Sequence, residues 1–369
     1  MIIGVPKEVK INENRVALVV AGVRALTSAG HDVFIEKDAG LKSGISNEAY
    51  KQAGARIVNA KQIFKSAEMI MKVKEPTPEE AELFQEGQIL YTFLHLVAAG
   101  DLTKKLMSKK VKAIAYETIQ LEDKSLPVLT PMSEIAGRMS TQIGAYLLQK
   151  EPKEGGKGLL LGGVPGVKNG KVTIIGGGVA GTNAAKIAVG LGANVIVLDV
   201  SPRRLAYLDD IFGNRITTLM SNITNIEESV AQSDLLIGSV LITGGAAPKL
   251  VSKKMVENME DGSVVIDISI DQGGCIETIH PTSHDKPTFK VNGVIHYGVT
   301  NIPGAVPHTA TYALTNASFP YAFKIAKLGL KEAMQQDKAL LKGLNVCDGY
   351  VTCERVAEDL NLPYKAYKP

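Results

Sequence analysis

Residues 172–181 read Val172-Thr173-Ile174-Ile175-Gly176-Gly177-Gly178-Val179-Ala180-Gly181, and Thr182-Asn183-Ala184-Ala185-Lys186-Ile187-Ala188 comes next. A short β-branched run enters this stretch and an alanine-rich helical pattern leaves it. Gly176, Gly178 and Gly181 occupy the three slots of G-x-G-x-x-G. In a strand-to-helix turn the first glycine permits the tight bend and the second lets a pyrophosphate reach the backbone. The third lets helix and strand pack closely. The free N–H groups of the next helix, Val179 and Ala180 first, then offer partial positive charge to phosphate. A tight strand-to-helix turn with no ligand would explain the glycines alone, so the reading is decided by whether an acid, a strand and a helix stand in register with them.

Asn194-Val195-Ile196-Val197-Leu198 is the next strand, and Asp199 ends it 18 residues past Gly181. An acid about 20 residues on suits a ribose 2′-hydroxyl and repels a 2′-phosphate, which favours NAD over NADP. Arg203 and Arg204 come soon after, and a guanidinium is also how a 2′-phosphate is accommodated, so that distinction is blurred. FAD and S-adenosylmethionine sites can share the glycine pattern. Further strand patterns at residues 216–219, 235–238, 264–268 and 294–298 alternate with helical ones at 203–212, 226–232 and 252–259, as in a parallel α/β sheet.

The bounds set by composition are mild. A chain of 369 residues predicts two or three domains. A net charge of +3, with 21% charged and 45% hydrophobic residues, gives no reason to expect nucleic acid or membrane as a partner. The N-terminal sequence has no signal-peptide pattern, and no apolar run reaches the ~18 residues of a membrane span, so a cytoplasmic protein is expected. Cys275, Cys347 and Cys353 are few and odd in number, which fits reduced, buried thiols. No metal-ligand spacing is present, and no metal is expected.

The first 129 residues repeat the alternation. Strand patterns lie at 2–5 and 33–36, with a helix at 21–30 between them. Glu68-Met69-Ile70-Met71-Lys72-Val73-Lys74 stops at Glu75-Pro76, Ile89-Leu90-Tyr91-Thr92-Phe93-Leu94 runs to His95, and Ala113-Ile114-Ala115-Tyr116 ends at Glu117. Ligands of open α/β sheets bind beyond the carboxyl ends of strands. Arg15, Lys74 and His95 all fall there. Singly, each is best read as a solvated charge or a satisfied histidine. Together they suit a substrate carboxylate: Arg for bidentate binding, Lys as a point charge, His for proton transfer near neutral pH.

Thr130 is the expected N-cap of a long helix to about residue 149, with Pro131 and Ser133 in its first turn. A glycine-rich loop at 151–170, which can hold a hairpin, leads into the nucleotide unit. Asp271 lies past the carboxyl end of the 264–268 strand, either as an Asx turn before Gly273 or as a carboxylate facing the first domain; Asp267, within the strand, reads as structural. The helical pattern at 309–335, with a break expected near Phe319-Pro320, is read as returning to the first domain. The expected architecture is α/β, with two Rossmann-like parallel-sheet domains separated by a cleft. Residues 1–129 and 306–369 would form one domain, with the NAD-binding domain, 130–305, inserted.

Gly4-Val5-Pro6-Lys7-Glu8, Asn14-Arg15-Val16-Ala17, Val73-Lys74-Glu75-Pro76, Tyr116-Glu117-Thr118, the 176–181 turn, residues 267–274 and Asn301-Ile302-Pro303-Gly304 together resemble the bacterial L-alanine dehydrogenases, co-linearly along nearly the whole chain. The same fold family holds the NAD-binding part of proton-translocating transhydrogenase. The resemblance implies reversible oxidative deamination of L-alanine to pyruvate and ammonium with NAD, in a homohexamer. It implies Arg15 and Lys74 as substrate-binding residues and His95 and Asp271 as catalytic ones. It also implies that Ser133, Gly176, Gly178, Val179, Ala180, Gly181, Asp199, Arg204, Ser221, Val240, Leu241, Ile268, Asp271, Asn301 and Ile302 line NAD. A transhydrogenase subunit, a dehydrogenase of another amino acid and a catalytically silent NAD-binding regulator remain as alternatives.

Overall fold

Short, largely apolar segments of two to six residues become the strands of two sheets in the computed structural model, which describes residues 1–150, 153, 155–240 and 247–369. The chain divides into two compact units, Met1–Met132 with Val306–Pro369, and Ser133–Ala305. The first unit is therefore discontinuous in sequence, and the second is one uninterrupted stretch.

The first unit begins with β1 (Ile2–Val5), β2 (Asp32–Glu36), β3 (Arg56–Val58), β4 (Met69–Met71), β5 (Ile89–Thr92) and β6 (Lys112–Ala115). β4 and β5 have every residue buried, the pattern of parallel strands covered on both faces. β1 pairs in parallel with both β2 and β4. The order β6-β5-β4-β1-β2-β3 therefore reverses between β1 and β4, and such switch points are where open α/β sheets bind ligands. Phe34, Ile63, Phe64, Ile70, Leu90 and Leu106 belong to the apolar core that covers this sheet. Helix Pro78–Leu83 shows how local sequence sets a boundary: Thr77 and Glu80 form a reciprocal capping box and Pro78 opens the first turn.

The second unit holds β7 (Lys171–Ile175), β8 (Asn194–Asp199), β9 (Ile216–Met220), β10 (Leu235–Gly238), β11 (Val264–Asp267), β12 (Thr288–Val291) and β13 (Val294–Tyr297). Their order is β12-β13-β11-β10-β7-β8-β9, with a switch point between β7 and β10. Val172, Ile174, Val195 and Val197 enter one core, whereas Ile175, Leu198, Leu236 and Val265 enter another. This alternation is the period of two expected when a sheet is covered on both faces. Helix Thr130–Leu147 packs on helix Val179–Gly190 through a small residue. A Cβ at Gly137 would meet the Ala180 carbonyl, and Thr141 Oγ1 donates to the Ala184 carbonyl at 2.9 Å.

The expected α/β sheets are present and are parallel apart from one edge each: β12 runs antiparallel to β13, and the tail contributes β14 (Leu344–Cys347) and β15 (Tyr350–Val351), with β14 antiparallel to β6 and β15 antiparallel to β14. Local expectations need correction. The long C-terminal helix, Pro307–Leu328, passes through Pro320 and breaks instead at Gly329, where φ is 78°. A proline removes the bond its own N–H would make and crowds the carbonyl four residues back, which a long helix can absorb, whereas a positive φ stops the helical path. Thr130 is the first residue of its helix, and its hydroxyl donates to the Leu126 carbonyl at 2.9 Å rather than accepting as an N-cap. β5 ends at Thr92, so His95 stands in the turn beyond the strand.

Candidate active site

The glycine turn in the second unit is built as its spacing predicts. Gly176 has φ 98°, and a Cβ there would lie 2.7 Å from the Ser239 carbonyl oxygen at the end of β10. A Cβ on Gly181 would run into the Gly176 carbonyl, whereas one on Gly178 would meet nothing within 4 Å. The backbone is thus crowded on the protein side and open above Gly178. Helix Val179–Gly190 starts there with no side-chain cap and no acid in its first turn, which suits a pyrophosphate. Asp199, half-buried at the end of β8, accepts from Gly177 N at 2.7 Å and Ser201 N at 2.8 Å, and so ties the turn to the strand that would carry the ribose. Ser221 comes just after β9 and donates its N–H to the Asp199 carbonyl at 2.9 Å.

Of the paired arginines, Arg204 is the one folded onto the turn. Its guanidinium donates to the Gly177 carbonyl and to Thr182 Oγ1 and lies 4.6 Å from the centre of the Tyr207 ring. Arg203 is exposed. Val240 and Ile268 are half-buried past β10 and β11, while Leu241 lies outside the described residues. Asn301, at φ 58°, and buried Ile302 come after the last strand of this unit. Ser133 is half-buried in the first turns of its helix. Asp271 is exposed at the end of a 3-10 turn spanning Ile268–Gln272. Asp267 is fully buried and accepts from Ser269 N (2.9 Å), Cys275 N (2.7 Å) and Ile276 N (3.2 Å), holding the loop that presents Asp271. Burial still raises its pKa, against those hydrogen bonds.

In the first unit Arg15, Lys74 and His95 lie past β1, β4 and β5, three neighbouring parallel strands. Arg15 is buried and paired with Glu13, Nε to Oε1 at 2.7 Å and Nη2 to Oε2 at 2.5 Å, while Nη1 faces Met132 Sδ at 3.1 Å. Burial works against the Glu13 charge, but the hydrogen bonds and charge of Arg15 outweigh it and lower the Glu13 pKa; Lys74 adds to the same effect. A carboxyl depressed on folding contributes stability that is present above its unfolded value of about 4.3 and lost as pH falls through the folded one. Wild-type protein is therefore expected to lose stability on acidification below about pH 4.3, and Glu13→Gln to lose the part due to this group. Urea midpoints measured for both proteins over that pH range check this.

Two further carboxylates grip backbone at these strand ends. Glu8 accepts from Val73 N at 2.6 Å and Lys74 N at 3.4 Å, and its other oxygen meets Lys72 Nζ at 3.2 Å. Lys72 is buried and bonds Glu80 Oε1 at 2.7 Å as well. Glu117 accepts from Leu94 N at 3.1 Å and His95 N at 2.6 Å. Glu75, next to Lys74, pairs with Lys10, and His95 is close enough to help lower its pKa against the cost of burial. The His95 ring lies nearly parallel to the Phe93 ring, 5.9 Å between centres.

Sequence reading therefore placed three cationic or protonic groups on one sheet edge but missed the acids between them. Glu8, Glu75 and Glu117 lie inside motifs that carry the family resemblance, and Glu13 stands two residues before Arg15, but nothing local to them shows which backbone or side chain they bind. Among the described residues no group of three or more potential metal ligands occurs, and no helix is long and apolar enough to cross a membrane.

Comparison with known proteins gives the same answer in both halves of the chain. Residues 4–136 match the family described as alanine dehydrogenase/PNT, N-terminal domain, and residues 140–354 match its C-terminal domain. Alanine dehydrogenase of Methanococcus maripaludis is 62% identical over 366 residues, covering 99% of this chain and 98% of that one. The Bacillus subtilis protein of the same name is 58% identical, covering 99% and 96%. A solved L-alanine dehydrogenase superposes with a TM-score of 0.95 at 54% identity, covering 98% of this chain and 99% of that one. A transhydrogenase from Sinorhizobium meliloti superposes with a TM-score of 0.82 at 26% identity, covering 96% and 99%. On this likeness, which spans nearly its full length, the chain belongs to the alanine dehydrogenase/PNT family.

Proposed function

We propose that this protein catalyses the NAD-dependent, reversible oxidative deamination of L-alanine to pyruvate and ammonium. The observation that carries this is the 62% identity, over 99% of the chain, to a protein named alanine dehydrogenase. The likeness to transhydrogenase is much weaker at 26% identity.

The glycine turn, with open space over Gly178 and an uncapped helix behind it, fits a dinucleotide pyrophosphate. NAD, when bound, supplies the acceptor for the hydrogen and electron pair leaving the alanine Cα. The chain's residues then position the substrate and move protons. Arg15 binds the alanine carboxylate, taking it on the guanidinium edge that now faces the weak acceptor Met132 Sδ. Lys74 stabilises the oxygen of the pyruvate carbonyl as a point charge. His95 takes a proton from the water that adds to the substrate imine and returns one to the departing ammonia. Asp271 holds that water or the cationic imine. Atoms balance as alanine, water and NAD giving pyruvate, ammonium, NADH and a proton.

Asp199 sets the cofactor choice in this proposal. Asp199→Gly removes the charge that would repel a 2′-phosphate, and the NADP-to-NAD ratio of kcat/KM is expected to rise at least about tenfold. Initial rates with each dinucleotide measure it.

The proposal extends to a homohexamer in the cytoplasm. Tyr146, Leu160, Val164 and Val167 are more than half exposed on the second unit, apolar surface of the kind that subunit contacts cover. Cys275 and Cys347 are buried free thiols, as in a reducing compartment. Light scattering on the purified protein gives the subunit number. The reaction is tested in reverse. Pyruvate with NADH should be consumed only when ammonium is added, and consumption without ammonium would contradict the proposal.

A further inference from the structure

His95 has φ 47°, a left-handed backbone conformation that a side chain with a Cβ seldom adopts. Histidine enters this region more often than most residues with a Cβ, but the conformation is still uncommon and persists where the surroundings hold it. The Glu117 carboxylate does this. Oε1 accepts from His95 N at 2.6 Å and Leu94 N at 3.1 Å, and Oε2 lies 3.2 Å from Leu94 N. On the other side of the residue the His95 carbonyl accepts from Ala98 N at 3.0 Å, closing the turn. Leu94 is fully buried and anchors the turn in the core, whereas the His95 side chain is exposed, with the Phe93 ring stacked beside it. The imidazole therefore owes its direction to its backbone more than to packing.

From this geometry we infer that Glu117 is a positioning residue for His95: its carboxylate binds two successive N–H groups and holds the turn in the left-handed conformation that aims the imidazole at the substrate. Glu117 itself exchanges no proton with substrate. The inference rests on the proposed role of His95, and the test separates the two.

Glu117→Ala frees the turn to relax to an ordinary φ. Turnover of alanine is expected to fall at least about 30-fold, the size of a misplaced general acid/base. The KM for alanine should change much less, because Arg15 and Lys74 are held by other carboxylates. Glu117→Gln keeps an oxygen that can accept from His95 N and should restore most of the lost turnover. The decisive measurement is a double-mutant cycle. If Glu117 acts through His95, then His95→Ala with Glu117→Ala turns over at the rate of His95→Ala alone. Losses that multiply in the double variant, or normal turnover in Glu117→Ala, would overturn the inference. Normal turnover in His95→Ala would instead remove the proposal about His95. If Glu117→Ala does not fold, as judged by circular dichroism, the same cycle is run with Glu117→Gln, whose partial loss should likewise vanish in the His95→Ala background.

Discussion

His95→Ala is expected to bind NAD nearly as tightly as the parent protein while turnover of alanine falls at least about 100-fold. Both halves of that expectation come from placement. His95 lies past β5 in the first unit and the glycine turn belongs to the second, so the imidazole is no part of the turn, strand and helix that would hold the pyrophosphate. What is lost is a group able to give and take protons near neutral pH, and removing a positioned acid/base of this kind costs about 100- to 10,000-fold. NAD affinity by fluorescence titration and steady-state rates on the same sample separate binding from chemistry. Near-normal turnover would take His95 out of the mechanism.

Lys72→Met is expected to cost about 3–5 kcal/mol of stability at neutral pH, among the largest effects of any single change in the chain. The side chain is fully buried between Glu8 and Glu80. Burial alone would favour the neutral amine, but the two carboxylates prevail and raise its pKa. Removing the ammonium leaves two acids out of water with no cation between them. Glu8 would suffer most, since burial already raises its pKa even with Lys72 present. This sets the sign of the pH dependence. A carboxyl whose folded pKa lies above its unfolded value of about 4.3 binds more protons in the folded state, so stability falls as pH rises between the two. Without Lys72 that window widens upward. The deficit of Lys72→Met should therefore shrink on acidification from pH 7 toward pH 5, and Lys72→Met with Glu8→Gln should regain part of it at pH 7. Urea unfolding of the three proteins at both pH values measures this. Because Glu8 also holds the backbone at Val73 and Lys74, the KM for alanine should rise in Lys72→Met.

How much of this was legible in the sequence depended on whether the signal was local. The glycine turn, its strand, its helix and Asp199 lie within about 30 residues and obey one geometric rule, so they could be read directly. Arg15, Lys74 and His95 could be placed on one edge because parallel strands put their carboxyl ends together. The acids that hold them could not. Glu117 is separated from His95 by 22 residues, and Glu8 from Val73 by 65, and a surface glutamate looks the same in sequence as one that clamps a backbone. The left-handed turn at His95 was hidden for a related reason, since a histidine alone is too weak a sign of it. The antiparallel strands of the tail were missed because β14 and β15 have four and two residues and gain their partners only from the rest of the sheet. Pro320 misled because proline marks a helix end more often than it interrupts one, whereas the break at Gly329 needed the φ that only the fold supplies.

The reaction itself is open to direct measurement. Purified protein is mixed with NAD and each of a panel of amino acids while absorbance at the NADH band is followed. L-Alanine should produce NADH, with pyruvate and ammonium formed in equal amounts. No signal with L-alanine would contradict the proposal, most of all if the protein instead exchanged hydride between NADH and a second dinucleotide.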